Sequence, residues 1–260
     1  MTIYAVLNQK GGVGKSATAA NLGAGLALAG RRVLTVDLDP GAGLTQSLLG
    51  PRAQGAGAYE LLTSRLEASA VIIDRVIAAP KKGGSLAVIP AALNLAAAEV
   101  ELADDPGRER ILARILAEVK GFDTVLIDCG PSLSLLSVMA LTAAAGVLVP
   151  VLAEFLAVAA LARLQDTIDR VRVKLNPGLE IFGILATRFD ARRLLNVQAL
   201  EDLRKHFGGK VFKTVIRENI AVAEASGFGQ TIFEYRPGSH GAEDYTTLTR
   251  EFLRREKHGE

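Results

Sequence analysis

Only one cysteine, Cys129, occurs in the 260 residues. No disulfide can form within the chain, and a reducing compartment suits it. Cys129 follows an apolar run and reads as a small buried residue rather than a reactive thiol. Histidine is almost as scarce. His206, His240 and His258 are scattered, with no metal-ligand spacing and no readable Ser-His-Asp constellation. The net charge is only +2, so no field over the whole molecule draws it to a polyanion. The first residues run directly into an apolar strand rather than a secretory leader, and a cytoplasmic location is expected. Residues 130–153 lack charge over a length that could cross a bilayer. Gly146 and Pro150 divide that stretch, which reads as a helix over 133–145 and a buried strand over 146–151.

Apolar residues are plentiful: 49% of the residues are hydrophobic, enough for a large core. Apolar β-rich runs recur at 3–7, 33–38, 86–89, 124–128, 146–151, 181–186 and 211–215. Helical patterns separate them at 15–29, 91–103, 108–119, 133–145, 155–174, 195–207 and 241–255. Such alternation predicts an α/β fold, a twisted, mainly parallel sheet with helices on both faces. No linker, repeat or low-complexity tract interrupts it, so residues 1–260 are expected to form a single domain, with 50–57 as a loop. In sheets of this kind ligands bind at the carboxyl ends of the strands, where Asn8, Asp37, Asp39 and Asp128 fall.

Between the first strand and the first helix the chain reads Asn8-Gln9-Lys10-Gly11-Gly12-Val13-Gly14-Lys15-Ser16. The ordinary phosphate-binding pattern is G-x-x-x-x-G-K-[ST]. Its end, Gly14-Lys15-Ser16, is present, but Gln9 stands at the first glycine position. Backbone N–H groups and a helix N-terminus converge on one point there, which favours an anion. Lys15 would reach the β- and γ-phosphates and the Ser16 hydroxyl would ligate Mg²⁺. Gly11, Gly12, Val13, Gly14, Lys15, Ser16 and Ala17 are the expected ATP cradle. Lys10 lies too early to be the ordinary loop lysine. At the loop mouth it can project across a subunit interface onto a partner's phosphates, in the manner of an arginine finger. Val125-Leu126-Ile127-Asp128 is an apolar strand ending in an acid, and Asp128 would hold Mg²⁺ through water. Asp37 and Asp39 end the second strand on one side of it.

The K-G-G-x-G-K-[ST] string resembles the deviant Walker A motif of the ParA/MinD ATPases, a P-loop NTPase superfamily. The likeness to the chromosome- and plasmid-partitioning branch, the Soj/ParA type, runs through Val36-Asp37-Leu38-Asp39-Pro40, Leu126-Ile127-Asp128-Cys129, Pro131-Ser132-Leu133 and Val211-Phe212-Lys213-Thr214-Val215-Ile216. It continues to Glu224-Ala225 and Gly241-Ala242-Glu243. The lone cysteine argues against the iron–sulfur relatives, whose bridging cluster needs two per chain. The resemblance implies a slow, partner-stimulated ATPase that dimerises with ATP and Mg²⁺. It also implies nonspecific binding to double-stranded DNA, a nucleoid association and a ParB-like centromere-binding partner. By the same resemblance, Asp39 orients the attacking water, Asp37 assists near the metal, and Asn219 lies near the base. Lys10, Lys15 and Asp39 form the expected catalytic set, and Ser16, Asp37 and Asp128 the metal set.

This sequence departs from the family at several points. Where the family continues Asp-Pro-Gln-Gly-Asn, this chain has Asp39-Pro40-Gly41-Ala42-Gly43, a more flexible loop by expectation. The usual Cys-Pro-Pro is Cys129-Gly130-Pro131. Residues 161–217 carry 12 Lys/Arg against 6 Asp/Glu, a cluster able to neutralise phosphates without reading bases. In the family, basic residues of this region bind DNA, and Arg188, Arg192, Arg193 and Arg217 are the expected contacts. Here Ile-Pro-Arg-Asn-Val-Arg becomes Ile216-Arg217-Glu218-Asn219-Ile220-Ala221. One alternative is a MinD-like positioning ATPase on a membrane. Its amphipathic foot is poorly matched by a tail, 251–260, with only Phe252 and Leu253 as bulky apolar residues, so no membrane partner is expected. Another is a nucleotide-gated adaptor for protein cargo with little turnover.

Overall fold

The computed structural model describes residues 1–50, 55–75 and 83–258; positions 51–54 of the expected loop and the last two of the tail lie outside them. Among the described residues seven strands form one sheet: β1 (Thr2–Val6), β2 (Arg32–Leu38), β3 (Ile73–Arg75), β4 (Ser85–Ile89), β5 (Thr124–Cys129), β6 (Gly146–Leu152) and β7 (Glu180–Thr187). Their order in space is β3-β4-β2-β5-β1-β6-β7. Every pair is parallel except β3–β4 at the edge. The helices are α1 (Lys15–Leu28), α2 (Gly43–Leu49), α3 (Ala58–Leu62), α4 (Ala68–Val71), α5 (Leu95–Glu101) and α6 (Ile111–Glu118). After them come α7 (Leu135–Ala143), α8 (Ala157–Lys174), α9 (Leu194–Phe207), α10 (Ile220–Gly227), α11 (Ile232–Tyr235) and α12 (His240–His258). The expected α/β sheet is present.

Strand alternation sorts the core into two layers. Ala5, Leu34, Val36, Val125 and Ile127 pack on one face, under Leu112 and Leu116 of α6, Met139 of α7 and Leu161 and Ile168 of α8. Tyr4, Val6, Val33 and Leu126 pack on the other, under Leu22 and Leu26 of α1 and Tyr245, Leu248 and Phe252 of α12. Being covered twice, β5 is buried at all of its positions, which explains its unbroken apolar run. The uncharged stretch resolves into α7 and β6, and no helix among the described residues is long and apolar enough to cross a membrane.

Two expectations are corrected. Residues 211–215 do not form a strand. The segment runs beside β7 and touches it through a bridge between Ile184 and Val211. The Phe212 ring occupies the notch left by Gly183, where a Cβ would lie 2.1 Å from it. Conversely, β3 is a strand that sequence patterning did not foresee. Its three residues are too few to show a period.

Candidate nucleotide site

β1 carries the chain to the carboxyl edge of the sheet, and the loop after it is tied down from behind. The buried Asn8 amide donates to the Pro150 carbonyl at 2.7 Å, and its oxygen accepts from the Lys10 N–H at 3.0 Å. The Thr187 hydroxyl donates to the Val13 carbonyl at 2.8 Å. Gly12 and Gly14 take φ of 73° and 82°, a left-handed backbone open to glycine. Gly14 thereby turns the chain straight into α1, whose first turn has neither an acid nor a side-chain cap. Its leading N–H groups stay available to an anion. Lys15 is only 7% exposed, yet it belongs to no salt bridge among the described residues. A buried ammonium held in no salt bridge fits a phosphate-binding role.

Beside it, Asp128 is fully buried and neither of its oxygens has a hydrogen-bond partner. Burial pushes its carboxyl well above the ordinary value, and the charge of Asp37 adds to this. Ser16 and the Lys15 ammonium pull the other way. The residues fit Mg²⁺. No group of three His, Cys, Asp or Glu among the described residues could hold a metal by itself. Mg²⁺ is commonly held by one or two protein oxygens plus phosphates and water.

Asp37 stands next to Asp128 across β2 and β5 but is occupied differently. It accepts from the Thr45 N–H at 2.8 Å, the Thr45 hydroxyl at 2.7 Å and the Asp39 N–H at 3.0 Å. Burial still pushes it up to about 6 against these bonds. Its carboxylate therefore holds residues 39–45 in place. Asp39 is half-buried and uses Oδ1 to accept from the Gly41 N–H at 2.9 Å. The departures at 43 and 130 lie against this site. A Cβ on Gly43 would come within 2.8 Å of the Ser16 hydroxyl, and one on Gly130 within 3.5 Å of Asp39. Gly43 is what lets α2 approach Ser16.

Lys10 turns away from its own loop. Its ammonium meets Glu154 at 2.5 Å, with both side chains 53% exposed. The pair borders a cleft of about 390 Å³ lined also by Leu156, Ala160 and Arg163. Phe155 and Leu156, next in the chain after Glu154, are exposed, as are Leu194 and Leu195 at the start of α9. Asn219 caps α10, its oxygen accepting from the Ala221 N–H at 2.9 Å.

The four expected DNA-contacting arginines all face acids. Arg188 and Arg193 meet Glu218, and Arg192 and Arg193 meet Asp190. Arg217 is fastened to Asp244 at 2.5 Å and Glu243 at 2.7 Å, which raises its pKa further. Because Asp244 is buried, this pair anchors the backbone before α10 to α12. Sequence reasoning missed Thr45, Thr187 and Glu154. None belongs to a local motif, and only the fold brings them to the loop.

The family described as an AAA domain matches residues 1–181. The chain is 46% identical over 252 residues to the chromosome-partitioning ATPase Soj of Thermus thermophilus, covering 96% of this chain and 95% of that protein. It is 43% identical over 250 residues to the sporulation initiation inhibitor protein Soj of Bacillus subtilis, covering 96% and 97%. A solved structure of cobyrinic acid a,c-diamide synthase from Mycobacterium smegmatis, with bound ADP and magnesium, superposes with a TM-score of 0.84. It shares 36% identity and covers 100% of this chain and 97% of that one.

Proposed function

Since this chain belongs to the Soj/ParA family of P-loop ATPases, we propose that it is a partitioning ATPase whose ATP-bound dimer binds DNA and works with a ParB-like partner. The observation that carries the reading is Asp128: two buried, unpartnered oxygens beside Ser16 and the buried Lys15. Ser16 and Asp128 would hold Mg²⁺, which supplies charge neutralisation at the β- and γ-phosphates when bound. Residues from Gly11 to Ala17 cradle the phosphates with N–H groups, and Lys15 pairs with their charge. Asp39 orients the attacking water, and Asp37 acts through Thr45 to hold that segment. Lys10 reaches the partner's nucleotide in trans, and Asn219 stands near the base. The whole chain acts as one domain.

Exposed Phe155 (87%) and Leu156 (66%), next in the chain after the Glu154 that pairs with Lys10, support a subunit interface on that side. Arg188, Arg192 and Arg193, with Arg217 next in the chain to Glu218, form the DNA face of this reading, which would associate the protein with the nucleoid. The membrane alternative is disfavoured because Phe252 of α12 is fully buried against the sheet and α1, which removes one of the two bulky apolar residues of the tail. Cys129 is buried, and burial pushes its thiol up, so it serves packing rather than nucleophilic chemistry. The direct test is equilibrium ATP binding by Lys15→Ala. The expected result is loss of binding, and affinity equal to the parent would defeat the assignment. Turnover with and without DNA separates an ATPase from a nucleotide-gated adaptor.

A further inference from the structure

Two arginines converge on one carboxylate at the edge of the sheet. The Arg188 guanidinium donates to one oxygen of Glu218 at 3.3 Å, and that of Arg193 to the other at 3.2 Å. Backbone pairing sets this arrangement. The Phe189 N–H donates to the Ile216 carbonyl at 3.0 Å, and the Glu218 N–H to the Phe189 carbonyl at 3.1 Å. The end of β7 and the segment before α10 therefore lie side by side, with Arg188 and Glu218 fixed across from each other. Arg188 holds φ of 48°, a left-handed backbone that costs a non-glycine residue free energy and persists where its surroundings over-determine it. Arg193 arrives from the start of α9.

The cluster is open to water: the side chains of Arg188 and Arg193 are 60% exposed and that of Glu218 38%. Exposed ion pairs of this kind contribute little to stability, so another anion can displace the carboxylate cheaply. Two guanidinium groups gripping two oxygens of one anion is also the arrangement that binds a phosphodiester.

We propose that Glu218 is a built-in occupant of a phosphate site formed by Arg188 and Arg193, displaced by the backbone of double-stranded DNA. The proposal rests on the DNA-binding reading above. Glu218 cancels charge on each isolated subunit, so one copy holds DNA weakly and two copies on one duplex are needed. It sets how strongly DNA retention depends on the dimer, without touching the nucleotide.

The test compares the full chain with its Glu218→Gln variant, both with ATP and Mg²⁺, by anisotropy of a labelled duplex of arbitrary sequence across a salt series. ATP-driven dimerisation by light scattering serves as the control that the fold is intact. The variant is expected to bind roughly five- to tenfold tighter at low salt. Its plot of log affinity against log salt should be steeper by about 0.9 for each further phosphate neutralised. Adding Arg188→Gln to the variant should remove the gain. If the parent binds and the variant shows the same affinity and slope, the proposal is overturned while the DNA reading stands. If neither binds at the lowest salt, both fall. If an acidic peptide such as polyglutamate, and not the duplex, gains affinity in the variant, the site is for a protein partner and the proposal is overturned.

Discussion

At the scale of single residues, the two buried aspartates are held in opposite ways, and stability separates them. Asp37 has three hydrogen bonds and Asp128 none. An ordinary aspartate has a value of 3.8, and burial raises both here, Asp37 to about 6. Below the ordinary value both states are protonated and nothing is lost. As pH rises past it, the unfolded chain releases these protons first, so the ligand-free fold loses stability until the native groups ionise too. Asp128→Asn removes a buried carboxyl whose pKa burial raises well above the ordinary value and whose oxygens accept no hydrogen bond. It should stabilise the ligand-free protein at neutral pH by about 1–3 kcal/mol, or roughly 2–4 °C in Tm per kcal/mol for a chain of this size. It should also flatten the loss between acid and neutral pH and abolish the added stability that Mg²⁺-ATP confers. A lower Tm for the ligand-free variant, measured by calorimetry, would contradict this. On the proposed role of Asp39, Asp39→Ala would keep the phosphate contacts while the attacking water loses its orienting group. The expected result is an ATP-bound dimer that persists on size exclusion with little phosphate release. A variant that stays monomeric with ATP, or turns over normally, would make Asp39 structural.

At the scale of elements, the region between β7 and α12 separates what was legible from what was not. Strands β1, β2, β4, β5, β6 and β7 were readable because each is a run of apolar residues long enough to declare itself. The loop and its acids were readable because their chemistry demands fixed spacing along the chain. Residues 211–215 have the same composition as a strand, yet Phe212 turns into the Gly183 notch instead of extending a ladder. The Arg255 guanidinium lies 4.0 Å from the centre of that ring and donates to the Val211 carbonyl at 2.8 Å. No local pattern encodes a contact between residues 183, 212 and 255. The ion pairs of the basic segment were hidden likewise: Arg217 finds Asp244 and Arg193 finds Glu218 only in three dimensions. Short helices such as α2, α3 and α11 run too few turns to show a period. The notch gives a test. Gly183→Ala forces a methyl into a rigid, fully buried ring, an overpacking that costs about 1–3 kcal/mol. Tm should fall by several degrees while ATP affinity, governed by the far end of the sheet, stays within twofold of the parent. An unchanged Tm would mean that Phe212 moves aside freely.

At the scale of the whole molecule, Lys10 decides whether one chain is a complete enzyme. Its ammonium is held by Glu154 at the surface, whereas Lys15 is buried at the loop itself. If Lys10 serves a partner's nucleotide, Lys10→Ala should bind ATP with near-parental affinity and hydrolyse it at a small fraction of the parental rate, since charge on the transferring group is lost. Lys15→Ala should fail earlier, at binding. Mixing the two inactive variants then becomes informative. In a mixed dimer the Lys10→Ala subunit still binds ATP, and the Lys15→Ala subunit still offers its Lys10 to that nucleotide. One of the two sites is complete and the other is empty. Turnover should reappear in the mixture, rise with the fraction of mixed dimers, and never exceed the output of one site per dimer. Phosphate release measured over a range of mixing ratios checks this. Parental turnover by Lys10→Ala alone would leave Lys10 a solvated surface lysine paired with Glu154, and a mixture with no activity would count against action across the interface.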